Sequence, residues 1–204
     1  MSDYCDNNCA IDALQKSQRG TLTIVLGVNA VMFLVIVVAA LYSNSTALLA
    51  DSLDNLGDAI TYALSLYAVS RSNTVKAKVA LFKGGLILIA ACAIGAQIVY
   101  KILVPSIPVV EVMGAFSLIG LAANLLCLYL LWRHRNEDVN MSSVWECSKN
   151  DIASNLSVFL AAGAVWITGS GWPDILVAFG LVCLLTRSSI RVIKSAVMEL
   201  RATT

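Results

Sequence analysis

Two short polar clusters interrupt otherwise apolar sequence: "LLADSLDNLGDAIT" at residues 48–61 and "ECSKND" at residues 146–151. The first carries Asp51, Asp54 and Asp58 with Asn55 beside them, and the second carries Cys147 and Asp151. Spacings of i, i+3 and i+7 put the three aspartates on one helical stripe, and the four-residue step from Cys147 to Asp151 stacks that pair on one face of another helix. Ser154 and Asn155 continue this second face a turn later. Asp54, Asp58, Cys147 and Asp151 together offer four oxygen and sulfur donors. That number suits tetrahedral Zn²⁺, the sulfur suits the softer Cd²⁺, and the carboxylate majority leaves Co²⁺, Fe²⁺ or Mn²⁺ open.

The elements that carry these residues lie in a membrane. Of 204 residues, 58% are hydrophobic and 13% charged, and the mean hydropathy is +0.79, whereas a soluble domain has about 25% charged residues. Six apolar stretches follow one another: Thr21 to Tyr42, Ser45 to Ser70, Val79 to Val104, Val109 to Trp132, Met141 to Thr168 and Trp172 to Ile193. Each is long enough for a spanning helix, which takes about 20 apolar residues at 1.5 Å rise. The sequence thus predicts an all-α membrane protein of six transmembrane helices. Its expected parts are an N-terminal tail at 1–18, a six-helix transmembrane domain at 19–196 and a short C-terminal tail at 197–204. The first stretch starts too late, runs too long and lacks a small-residue cleavage site, so it is expected to remain in the mature chain rather than act as a signal peptide. The net charge of +1 gives no sign of a nucleic-acid partner.

Charge asymmetry sets the expected orientation. Lys16, Arg19, Arg71, Lys76, Lys78, Lys83, Arg133, Arg135, Arg187, Arg191, Lys194 and Arg201 fall on the side of the termini, against Lys101 alone on the other, with Lys149 inside the fifth span. The positive-inside rule then puts both termini in the cytoplasm. Cys5 and Cys9 are then cytoplasmic, and Cys92, Cys127, Cys147 and Cys183 lie in spans, which points to free thiols rather than disulfides.

The two clusters meet in depth. Asp54 and Asp58 lie roughly 12–18 Å along the second span from one face of the bilayer, and Cys147 and Asp151 roughly 9–15 Å along the fifth from the other. In a hydrocarbon core about 30 Å thick both arrive near the midplane. A membrane carboxylate costs at least ~2.5–3.5 kcal/mol, so either most of these groups hold protons or a cation neutralises them. A structural reading is also open, in which Lys149 pairs with an aspartate and Cys147 packs as a small apolar residue. Two matched pairs on different spans favour the metal reading.

These clusters resemble those of the cation diffusion facilitators, six-span divalent-metal transporters with a ligand pair on span two and another on span five. "ALLADSLDNLGDA" is similar to the family's span-two signature, "GLAANLLCLYLL" to its span four, "NMSSVWECSKNDIASNL" to the start of its span five, and "WPDILVAFGLVCLLTRSSIRVIKSA" to its span six, with Asp174 near the outer end. The resemblance implies metal ligands at Asp54, Asp58, Cys147 and Asp151, with Asp51 and Asn55 in support, Asp51 as a hydrogen-bonding neighbour. It implies a homodimer and efflux of Zn²⁺- or Cd²⁺-type ions from the cytoplasm in exchange for protons, most simply in a bacterial inner membrane. Cys147 stands where the family usually has His, and Asp54 where many zinc-selective members have His. With about ten residues after the sixth span, the chain is expected to be one of the family's short forms, which lack the usual C-terminal cytoplasmic domain.

Several features admit plainer readings. Cys5 and Cys9 in "CDNNC" offer weak capture of a soft metal or are incidental thiols of a tail. Cys92, Cys127 and Cys183 are expected to pack or face lipid, and His134 to sit in a solvated link. Lys149, about 160° from Cys147 and Asp151 around the helix, is expected to snorkel or to pair with Glu146. Small residues in "KGGLILIAACAIGA" and "AAGAV" allow close helix approach, and span three is the expected dimer surface. The alternative function is a membrane sensor or accessory protein that binds metal without moving it. No HExxH-type base accompanies the ligands, which argues against an enzyme.

Overall fold

The protein was analysed as a computed structural model. The structure describes the backbone of residues 2–68, 73–133 and 139–202, and the side chains of residues 19–64, 66, 77–78, 80–133, 145 and 148–201. Among the described residues there are six helices and no strand: α1 (Ser2–Ser43), α2 (Thr46–Ala68), α3 (Asn73–Leu103), α4 (Val110–Trp132), α5 (Val139–Thr168) and α6 (Trp172–Ala202). The backbone of α1 is helical from Ser2, so the expected tail at its start continues into the first span.

Five segments are long and apolar enough to cross a membrane: Arg19–Ser43, Ala80–Leu103, Val110–Trp132, Ser148–Thr168 and Trp172–Arg201. The exception is α2, where Asp51, Asp54 and Asp58 lower the hydropathy. It has the same length as α4, 23 residues, and its neighbours α1, α3, α5 and α6 surround it. Helix α2 is thus carried in the interior by these four. The bundle is apolar outside, with Leu34, Phe82, Ile89, Tyr129, Trp166 and Leu184 exposed, and polar inside, with Asn29, Asp51, Asp58, Asn124, Asp151, Asn155 and Asp174 buried. This inversion fits lipid as the solvent.

Helices α1 and α2, α3 and α6, and α4 and α5 form the closest pairs. Gly84 lets α3 approach α6, since a Cβ there would meet Ile193 Cγ1 at 2.6 Å, and the Ser189 hydroxyl donates to the Gly84 carbonyl at 2.5 Å. Part of the small-residue stripe expected to face a partner chain is therefore used within the fold. Gly85 and Gly95 meet nothing within 4 Å.

One end of the bundle, remote from the chain termini, is tied by Asp174. Its carboxylate accepts from Ser45 Oγ at 2.6 Å, Thr46 N at 2.9 Å and Ala47 N at 3.0 Å, and from Lys101 Nζ at 3.3 Å. A helix begins with N–H groups that have no partner within it; here a side chain from α6 supplies the acceptor for α2. Ser45 Oγ in turn accepts from Leu48 N at 3.0 Å. Lys101 also donates to the carbonyl of Asn44, whose φ of 53° makes the sharp turn between α1 and α2 and suits Asn better than most side chains. Asn44 Nδ2 donates to Ser106 Oγ at 3.1 Å and Val109 N to the Ser43 carbonyl at 2.8 Å. Lys101, read from sequence as a lone charge on its side, is thus a buried partner.

Asp174→Ala removes this acceptor and leaves the Lys101 ammonium buried without its carboxylate, a loss of about 3–5 kcal/mol. The expected outcome is a lower thermal unfolding midpoint of the purified protein in detergent, recovered in part by combining Asp174→Asn with Lys101→Met.

Candidate metal centre

The aspartates of α2 lie between two apolar layers. On the side remote from the termini, Ile36, Leu48, Met113, Val158 and Ala162 pack together; toward the termini, Leu22, Val25, Tyr62, Cys127 and Leu131 do so. Between them Asp58 and Asp151 are buried, and Asp54 is partly exposed.

Helices α2 and α5 meet through these groups. Ser154 Oγ donates to Asp54 Oδ2 at 3.2 Å, and the carboxyl groups of Asp58 and Asp151 are in hydrogen-bonding contact. Tyr62, one turn along α2, donates its hydroxyl to Asp58 Oδ2 at 2.6 Å. Two carboxyl groups in contact hold a proton between them, since two carboxylates repel, unless a cation takes the proton's place. The structure therefore sets Asp58 against Asp151, with Asp54 one turn away on α2 and joined to α5 through Ser154.

The close approach that makes this possible is set on α4. A Cβ at Gly120 would overlap Asn155 Oδ1 and come within 3.3 Å of Ile36 Cδ1. The Asn155 amide donates to the Asp151 carbonyl at 2.9 Å, so its position and that of Asp151 are linked. Asn29 of α1 donates to the Val25 carbonyl at 3.0 Å and to Cys127 Sγ at 4.0 Å. Asn29 Oδ1, Asn124 Nδ2 and Asn155 Oδ1 have no hydrogen-bond partner among the described residues. Together with the three carboxyl groups they give the interior a polar character that suits an ion.

The fold of α2 and α5, with these residues lying between them, completes a pattern that can be compared with known families. The cation efflux transmembrane domain matches residues 22–201, nearly the whole described bundle. The chain belongs to the cation efflux family. Members of this family are transporters of metal cations, so the fold and the coarse activity expected from the resemblance both stand. A search of curated proteins gave no match.

Other expected residues of this cation efflux protein are placed differently. Asp51 is buried beside Asp54, yet neither of its carboxyl oxygens has a hydrogen-bond partner among the described residues. It is a neighbour without the hydrogen bond expected of it. Asn55 turns its amide to the Asp51 carbonyl at 3.1 Å, along its own helix. The side chains of Cys147, Glu146, Cys5 and Cys9, and His134 altogether, lie outside the described residues; the backbone of Cys147 is in α5, one turn before Asp151. Among the described residues no three His, Cys, Asp or Glu side chains close around a single metal-sized point. Lys149, Cys92 and Cys183 are exposed, while Cys127 is buried.

Asn29, Asn124, Tyr62 and Lys83 were not singled out in the sequence. Two of them carry a visible signal, a single asparagine within an apolar span ("LGVNAVM" and "GLAANLL").

Gly120→Ala forces α4 away from Asn155 and moves Asp151 with it. The expected outcome is loss of metal-dependent flux in proteoliposomes together with a lowered unfolding midpoint. Gly114→Ala, whose Cβ would sit 3.8 Å from Ala162 Cβ, is expected to leave both near wild type.

Proposed function

We propose that this chain moves divalent metal ions out of the cytoplasm in exchange for protons, with Asp54, Asp58, Cys147 and Asp151 as the ligands of the transported ion. The observation that carries the reading is the carboxyl contact between Asp58 on α2 and Asp151 on α5. Metal and proton compete for the same oxygens, so arrival of one releases the other. A proton shared between Asp58 and Asp151 would hold this contact together when no metal is bound, which supports the exchange reading. Apolar layers on both sides separate it from either surface, as exchange by alternating access requires.

Zn²⁺ and Cd²⁺ are the ions best matched to three carboxylates and a thiolate on four-coordinate geometry. The distribution of Lys and Arg supports cytoplasmic termini. On this reading the protein sits in a bacterial inner membrane, and homodimerisation follows from the family.

Reconstitution of the full chain into liposomes that hold a pH-sensitive dye tests this. Addition of Zn²⁺ or Cd²⁺ is expected to drive proton movement, and Asp58→Ala and Asp151→Ala are each expected to reduce it to the level of protein-free vesicles. Undiminished flux in either variant refutes the ligand assignment. Metal binding without flux in the wild-type protein points instead to a sensor. Cys147→His is expected to keep transport and shift preference toward Zn²⁺, and a shift toward Cd²⁺ contradicts a ligand role for Cys147.

A further inference from the structure

A site that gives up a divalent ion within a bilayer must replace its charge. Protons do part of this, and a fixed cation on the protein does the same if it can reach the carboxylates. Lys83 lies in α3, three residues into the apolar segment Ala80–Leu103. A lysine so placed has the nearby membrane surface within reach and by default extends its stem toward it. In this fold it turns inward: it is partly buried, and Nζ donates to Thr61 Oγ1 of α2. The Thr61 hydroxyl donates in turn to the Gly57 carbonyl at 2.7 Å, which fixes its direction. Thr61 stands three residues beyond Asp58 on the same helix, and the Lys83 ammonium lies within electrostatic reach of both Asp54 and Asp58.

We propose that Lys83 is a tethered counter-cation of the transport site, which balances the Asp54 and Asp58 carboxylates when metal leaves and opposes metal when it returns. This inference rests on Asp54, Asp58 and Asp151 being metal ligands. A flexible four-carbon stem allows the ammonium to approach the carboxylates or withdraw to Thr61 without a change of backbone. Its positive charge repels an incoming divalent ion, so it holds affinity below what the ligands alone give and favours release. Lys83 is a specificity and release determinant; it is not itself a ligand.

The test is metal binding by the full-length protein in nanodiscs, titrated calorimetrically with Zn²⁺ and with Cd²⁺, for wild type, Lys83→Met, Lys83→Gln, Lys83→Arg and Asp58→Asn. Both neutral variants are expected to bind at least about tenfold more tightly and to turn over more slowly in proteoliposomes. The arginine variant is expected to stay within about threefold of wild type, since it keeps the charge. Glutamine keeps a donor for Thr61 and so separates charge from the tether. If Lys83 only braces α3 on α2, the glutamine variant binds as wild type and the methionine variant binds no better, and either result overturns the proposal. Loss of binding in Asp58→Asn beside unchanged neutral Lys83 variants leaves the ligand assignment standing and removes Lys83 alone. Wild-type binding by Asp58→Asn removes both.

Discussion

A carboxylate in hydrocarbon must have a partner, and the fold supplies partners of two kinds. Asp174 has permanent ones: two backbone N–H groups, a hydroxyl and the Lys101 ammonium. Asp58 has a hydroxyl from Tyr62 and another carboxyl from Asp151, an arrangement complete only when a proton or a cation is present. The same functional group thus takes two roles: a tie with fixed donors at one end of α2 and a carboxyl pair near its middle. What separates the two roles is the count of fixed donors around each oxygen pair.

The other helices answer to this constraint. Because α2 is too polar to face lipid, four more apolar helices enclose it, and the contact between α2 and α5 places the carboxyl groups of Asp58 and Asp151 between two apolar layers. Gly120 sets how near α4 can come to α5. Asn155 converts that spacing into a position for Asp151 through one hydrogen bond. Gly120 and Asn155 thus sit where α4 and α5 meet beside Asp151.

Much of this was legible in the sequence because the bilayer limits the choices. Apolar run lengths gave six helices, with α2, α4 and α5 bounded within a few residues of expectation while α1, α3 and α6 extend beyond their apolar stretches, and the depth at which each polar pair falls along its span pointed to α2 and α5 as neighbours. What escaped were pairings fixed only in three dimensions. Lys101 and Asp174 lie on different helices, and each looks unremarked in its own segment: one a stray charge, the other the start of a span. Lys83 counted as one more positive residue near a membrane surface, since nothing along the chain shows that its stem bends inward. Asp51 was expected to hydrogen-bond to its neighbours, yet its carboxyl oxygens have no partner among the described residues, and the Asn55 amide is taken by the backbone. The roles of Cys147, Cys5 and Cys9 turn on side chains outside the described residues.

The tie at Asp174 has a mechanical side. A rod held at one end turns about that point, and displacement grows with distance from it. Asp58 lies twelve residues beyond Thr46, about 18 Å along the axis. A tilt of about 10° around the anchored end therefore carries Asp58 sideways by about 3 Å and leaves Thr46 in place. That distance is comparable to the difference between touching Asp151 and standing clear of it. With its fulcrum fixed, α2 needs only a small swing to make or break the contact between the two carboxyl groups.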